Sequence, residues 1–273
     1  MKTISLVVIG LSLAACAEHA RPIVVQGAMD LEVTSLASRL ENSHMEEVGG
    51  WTFWRGTIDG YPVIVSKTRK GMSNAAAATA IAIEHYGPAA ILNQGTAGGH
   101  DPSLHVYDIV LGKDSVNLGA FKSAYREPGQ GSDFPSWNPM DLLASEGSAG
   151  QDPKARVMRR FPGDGQLLAV AGSVKQVYQR GKVVEGTIGS SDMWNSELDR
   201  IQRFHDQYGT SVEEMETASA AQIAGISQVP FLGIRVLSNN ITNAGAWDPK
   251  TGEACQEYVY AVVKALAAAK RKR

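Results

Sequence analysis

Side chains able to do acid–base or binding chemistry gather in short stretches of this chain. These are Asp30 with Glu32, Thr96 among glycines, Asp192 to Asn195, Glu214-Met-Glu216, and Ser238-Asn239. Glu32 and Glu216 are carboxylates, which can take a proton from water or stabilise a developing positive charge. Trp194 offers an aromatic face on which a flat ring can stack. Neither HExxH nor CxxC nor a histidine cluster is present, so no metal and no cofactor is expected. Singly, each stretch reads as a helix cap or a surface loop. Together, most of them directly after an apolar run, they have the layout of an α/β active site.

The elements that must position them follow from the hydrophobic pattern. Arg21-Pro-Ile-Val-Val25 reads as a buried strand turning at Gly27, with Asp30 placed to cap a helix that runs to Leu40. Residues 51–58 and 61–65, joined by Asp59-Gly60, predict a hairpin. An alanine-rich helix spans Ser73 to Tyr86 and stops at Gly87-Pro88. The apolar run Ala89 to Leu92 then ends in a glycine-rich bend, Gln94 to Gly99, whose backbone N–H groups could face a ligand closely. A second strand, Asp108 to Gly112, re-enters the core.

Further on, the pattern predicts a helix over 166–180, a strand over 182–189 and a helix over 198–208. Val212 to Ala224 reads as a helix with acidic residues at its start, where the helix dipole favours them. An almost wholly apolar strand over 229–237 and an amphipathic helix over 258–269 close the chain. This is a mixed α/β sheet in one domain, residues 21–273. From about 116 to 166 Gly, Pro, Ser and Asp dominate, and we read a long loop insertion there. Phe134 and Trp137 make it a lid, an interface or a static excursion.

The 273 residues, 44% hydrophobic and 20% charged, suit a globular protein with a sizeable core. A net charge of −2 provides no field for nucleic acid, and the terminal Lys270-Arg-Lys-Arg273 reads as a solvated tail. Residues 1–15 have the pattern of a bacterial signal peptide: Lys2, an apolar core from Ile4 to Ala15, then Leu13-Ala-Ala-Cys16. Those last residues match a lipobox, with Cys16 as the lipidated position, and Ala15-Cys-Ala17 would also serve as a site releasing a soluble protein. Either way an exported, periplasmic protein is expected, touching a membrane only through a lipid on Cys16. The other cysteine, Cys255, reads as a small buried hydrophobe.

The motifs also carry a resemblance. Gly27-Ala-Met-Asp-Leu-Glu-Val33, Asn93-Gln-Gly-Thr-Ala-Gly-Gly99 with Asp101-Pro-Ser-Leu104, Glu214-Met-Glu-Thr-Ala218, and Val229-Pro-Phe231 with Arg235-Val-Leu-Ser238 resemble the nucleoside phosphorylase superfamily. They are most like its methylthioadenosine/S-adenosylhomocysteine nucleosidases. The resemblance runs from about Ile23 to the C-terminus. It implies a central mixed β-sheet with distorted barrel character, flanked by helices, and a homo-oligomer, either dimer or hexamer.

It also implies roles. Glu32 matches the carboxylate that positions and deprotonates water. Glu216 matches the one that binds the ribose 2′- and 3′-hydroxyls and favours an oxocarbenium-like sugar. Met215 would pack on the ribose, Thr96, Ala97 and Gly98 would follow sugar and base, Trp194 would stack on the purine, and Asn195 would contact its edge. Ser238 precedes the position that in those nucleosidases is an Asp donating a proton to purine N7.

Here that position is Asn239, which can hydrogen-bond N7 but cannot act as an acid. The departure turns the expectation from adenine-type substrates towards inosine- or guanosine-like ones. Arg69, Lys70 and Gly71-Met-Ser73 stand where the phosphate site of a phosphorylase could form, with Arg69 and Ser73 the side chains to hold the anion. The expected activity is an exported purine nucleosidase, hydrolysing a purine riboside to base and sugar. The alternatives are a phosphate-dependent phosphorylase and a catalytically silent nucleoside-binding or storage protein.

Overall fold

The computed structural model describes residues 20–140, 142 and 159–271. The predicted signal segment, Cys16, and most of the second half of the 116–166 insertion lie outside the described residues. Strand β1 (Ile23–Gly27) leads to α1 (Asp30–Ala37), then to β2 (Glu41–Val48), β3 (Trp51–Ile58), β4 (Tyr61–Lys67) and α2 (Met72–Tyr86). Next come β5 (Ala90–Gly99), β6 (Ile109–Asn117), two-residue β7 (Phe121–Lys122) and β8 (Asn138–Pro139), and β9 (Arg160–Pro162). The chain continues with α3 (Gly165–Ser173), β10 (Val183–Ser190), α4 (Leu198–Tyr208), β11 (Thr210–Glu214), α5 (Thr217–Ile226), β12 (Phe231–Asn239) and α6 (Thr251–Arg271).

The sheet runs β11-β10-β6-β12-β5-β1-β4-β3-β2, and β11 also pairs back onto β5. That extra pairing closes β5, β12, β6, β10 and β11 into a ring, the distorted barrel, while β1, β4, β3 and β2 extend from it as an open wing. Its pairs are mixed: β5 lies parallel to β12 and β1 but antiparallel to β11, at Gly98↔Glu213 and Gly99↔Val212.

Side-chain alternation explains the layers. Ile23, Val25, Ala90 and Leu92 face a core shared with α1, α3 and α6. Val24 and Ile91 face the opposite core, where alanines of α5 pack with Ala82 of α2. The alanine-rich α2 therefore packs closely on another alanine-rich helix, α5, as well as lying on the sheet.

Several expectations need correction. The glycines of 94–99 do not form a bend after a strand; they are the second half of β5, and closing the ring requires them to stay extended. The expected helix over 212–224 divides into β11 and α5. Val212 is fully buried in the ring, and the following acids have side-chain partners instead of a helix dipole. Asp30 caps nothing: Met29 is the N-cap of α1, and Asp30 pairs with Lys67 at 2.7 Å. Helix α3 ends at Ser173, short of the expected 180. Strand β2 went unpredicted because its sequence is polar and exposed; pairing with β3 makes it a strand.

Candidate active site

One cavity of about 410 Å³ opens where β5, β11 and β12 meet the start of α1 and the loop after β10. Glu32, in the first turn of α1, is 3% exposed. Its Oε2 accepts from the backbone N–H groups of Ala28 (2.9 Å) and Met29 (3.1 Å). Its Oε1 accepts from Thr96 N–H (2.8 Å) and the Thr96 hydroxyl (3.0 Å). Gly95 makes this possible, because a Cβ there would stand 2.7 Å from Oε1. The β1–α1 turn and the extended glycine strand thus hold one carboxylate from both sides.

The Glu213-Glu214-Met215-Glu216 segment sends its three carboxylates to three different fates. Glu214 is structural: its Oε2 accepts from Arg235 Nε (3.0 Å) and from Glu216 N–H (3.0 Å), and its Oε1 from the Ser190 hydroxyl. Arg235, 1% exposed, also donates to the carbonyl of Asn93 (2.9 Å) and to its side-chain oxygen (2.6 Å). Its pKa is raised: burial opposes the charge, but Glu214 and Glu216 outweigh that cost. Glu216 accepts from Gly71 N–H at 2.8 Å, with Arg235 at 3.9 Å. Burial first, then the neighbouring Glu214 charge, pushes its pKa up to about 8, against the pull of Arg235. Glu213 bonds His100 Nε2 (3.0 Å), Ser191 Oγ (2.6 Å) and Asn195 Nδ2 (2.9 Å). Burial raises its pKa, but these bonds more than offset that and hold it below the ordinary range.

Across the ring, Gly98 of β5 lies between Glu213 of β11 and Asn239 of β12. The Ser238 hydroxyl lies within hydrogen-bond distance of two acceptors, the Ala97 carbonyl (3.2 Å) and Asn239 Oδ1 (3.1 Å), and its single proton serves one of them at a time; the Asn239 NH₂ has no hydrogen-bond partner among the described residues. At the mouth, Trp194 (71% exposed) stands with Met193, Leu31, Ile241 and Trp247, an apolar rim around a polar interior.

The structure therefore brings Glu32, Thr96, Ala97, Gly98, Trp194, Asn195, Met215, Glu216, Ser238 and Asn239 to one cavity. It does not bring Arg69 or Ser73 there. The Arg69 guanidinium donates to the Gly50 carbonyl, and Ser73 is exposed on α2; of that stretch Lys70 lines the cavity. Asn195 is engaged within the wall, with Nδ2 on Glu213 and Oδ1 accepting from Glu197 N–H. Reading the sequence missed Glu213, His100, Ile241 and Trp247. It also missed the Glu214–Arg235 pair, whose signal was a lone arginine in an otherwise apolar strand, since such a charge must find a buried acid.

A closed strand ring with two buried carboxylates, an amide and an aromatic rim converging on one cavity defines an α/β enzyme site for a small, partly apolar ligand. The chain belongs to the phosphorylase superfamily, whose family model matches residues 22–269. It is 32% identical over 218 residues to the 5′-methylthioadenosine/S-adenosylhomocysteine nucleosidase of Bacillus thuringiensis (strain Al Hakam), covering 80% of this chain and 85% of that one. Among solved structures it is similar to the nucleosidase of that name from Colwellia psychrerythraea 34H, in complex with adenine. That match has a TM-score of 0.70 and 28% identity, over 90% of this chain and 96% of that one. The futalosine hydrolase of Helicobacter pylori strain 26695 shares the fold, with a TM-score of 0.71 and 22% identity over 90% and 98% of the two chains.

Proposed function

We propose that this enzyme hydrolyses the N-glycosidic bond of a purine riboside, releasing free base and sugar. Water attacks C1′ as the C1′–N9 bond breaks, the bonding pair leaves with the purine, and Glu32 takes the water proton. Of the four donors on Glu32, the Thr96 hydroxyl alone can rotate, so that is where a water could exchange in. Glu216 accepts from the ribose hydroxyls and, ionised, offsets the charge of the oxocarbenium-like sugar. The base leaves hydrogen-bonded to the Asn239 NH₂ and takes its proton from solvent; Glu32 then returns its proton to solvent.

The observation that carries the hydrolytic reading lies at the start of α2. Helix N-termini are ready anion sites, but this one is occupied: Gly71 N–H donates to Glu216 and Met72 N–H to Asp192 Oδ1 at 2.7 Å. Two carboxylates take the helix end that the Arg69–Ser73 stretch would offer a phosphate, and Arg69 is turned away.

Asn239 supports the substrate class. A 6-oxopurine shows two acceptors, N7 and O6, on the edge where a 6-aminopurine shows N7 and a donor NH₂. The two N–H groups of the Asn239 amide can donate to both N7 and O6 of the oxo edge, whereas on a 6-aminopurine only N7 accepts. Export and a homo-oligomer belong to the same proposal; the segment ending at Cys16 supports export, and the family resemblance supports assembly.

Incubation with inosine, guanosine, adenosine and 5′-methylthioadenosine, with and without phosphate, tests the reaction. Free base and free ribose without phosphate are expected. Strict phosphate dependence with a sugar 1-phosphate product would replace the proposal with phosphorolysis, and tight binding without turnover would replace it with a storage role. Mass spectrometry of the mature N-terminus tests lipidation, and light scattering tests assembly.

A further inference from the structure

Glu213 lines the cavity, yet its carboxylate is directed into the wall. One oxygen accepts from Ser191 Oγ and the other from Asn195 Nδ2. Those residues are the two ends of the loop that carries Asp192, Met193 and Trp194. The loop belongs to no regular element, since β10 ends at Ser190 and α4 begins at Leu198. Its other ties include Ser191 N–H on the Glu214 carbonyl (3.0 Å), Asp192 on α2, and Asn195 Oδ1 accepting from Glu197 N–H (3.1 Å). Trp194 itself makes no hydrogen bond or ring contact among the described residues.

The anchor is anchored in turn. His100 Nε2 bonds the Glu213 oxygen that holds Asn195, while His100 Nδ1 bonds Thr210 Oγ1 (2.8 Å) and its ring stacks on Phe204 (6.4 Å between centroids, 15° between planes). Strand β11 fixes the Glu213 backbone against Gly98.

We propose that Glu213 is a positioning residue for base recognition: by gripping both ends of the 191–195 loop with one carboxylate, it holds Trp194 over the cavity before substrate arrives. The role rests on the reading above, in which Trp194 stacks on the purine. A bound ring then need not restrict the loop, and affinity gains what that ordering would have cost. Glu213 acts through Trp194 and has no part in bond cleavage, so its loss should appear in KM far more than in kcat.

The test uses the full chain and its best nucleoside, comparing Glu213→Leu, Glu213→Gln, Trp194→Ala and the Glu213→Leu/Trp194→Ala double variant. Glu213→Leu should raise KM about tenfold with kcat within about threefold, and backbone amide exchange across 191–195 should speed at least about tenfold while α4 is unchanged. Glu213→Gln, whose amide oxygen can still accept from Asn195, should restore most of KM. The double variant should be no worse than the poorer single one, because both act through the same ring. An unchanged KM, additive losses, a fall in kcat matching that in kcat/KM, or unaltered exchange in the loop would each overturn the proposal. If Glu213→Leu does not fold, Ser191→Ala/Asn195→Ala removes the same bonds from the other side and must give the same signature. If the parent protein cleaves no nucleoside, the functional reading fails, while the exchange measurement still decides whether Glu213 holds the loop.

Discussion

Glu32 in the buried wall of the cavity is 3% exposed and accepts four hydrogen bonds, whereas Trp194 on the rim is 71% exposed and is placed only through its loop. The contrast extends beyond these two residues. The wall holds Glu214, Glu216 and Arg235 among paired polar groups of the closed ring; the rim presents Leu31, Met193, Ile241 and Trp247 on turns and loops. Buried charge must be paired, so the wall has one low-energy arrangement. Apolar rim contacts carry no such directional demand and can be varied. On our reading, bond breaking belongs to the wall and ligand capture to the rim, and the following variants would break or sharpen that division.

The largest effect is expected from Glu32→Gln. The amide keeps the volume but cannot take a proton, and kcat should fall about 10²–10⁴-fold, the usual share of a general base. Circular dichroism and denaturation would check that the fold survives.

Arg235→Met should act on the whole wall. It leaves Glu214 uncompensated at 6% exposure, and losing one partner of a buried pair costs about 3–5 kcal/mol. Urea unfolding should show that loss. A rim residue such as Trp247→Ala should leave the unfolding midpoint nearly unchanged.

Asn239→Asp sits where wall and rim meet the base. It should move the ratio of adenosine to inosine kcat/KM towards adenosine by about 10–100-fold, the equivalent of one strong hydrogen bond gained or opposed. An unchanged ratio would remove Asn239 as the origin of base preference.

Glu216 gives the wall a pH signature. Folded, it keeps its proton to about pH 8; unfolded, it loses it near the ordinary 4.5. The folded chain therefore binds more protons between these values. The stabilising contribution is full below about pH 4.5 and is lost as pH rises to about 8. Thermal midpoints should fall across that window, and Glu216→Gln should flatten the fall. Because the ionised form favours the cationic sugar, kcat/KM should rise to a plateau above about pH 8, a limb that Glu216→Gln removes.

The smallest effect is expected on the rim. Trp194→Ala should cost about 1–3 kcal/mol of ground-state affinity, seen as a raised KM with kcat largely kept.

Local pattern made much of this molecule legible. The hairpin at Asp59-Gly60, the stop of α2 at Gly87, and the apolar runs that become β1, β5 and β12 follow from turn chemistry and local hydrophobicity, which neighbouring residues determine. Glu32 and Asn239 could be singled out because each sits where such an element ends or turns; Thr96 stands out by its flanking glycines, although it lies inside β5 and not after it. What the sequence could not decide was pairing across the ring. Whether Val212 to Glu214 forms a helix or a strand depends on β5 and β10 lying on either side of it. Which of three neighbouring glutamates stabilises the fold, positions a loop or faces the cavity depends on Arg235, His100 and Gly71, distant in sequence. A charged side chain in a dry interior takes its role from its partner, and only the tertiary structure supplies the partner.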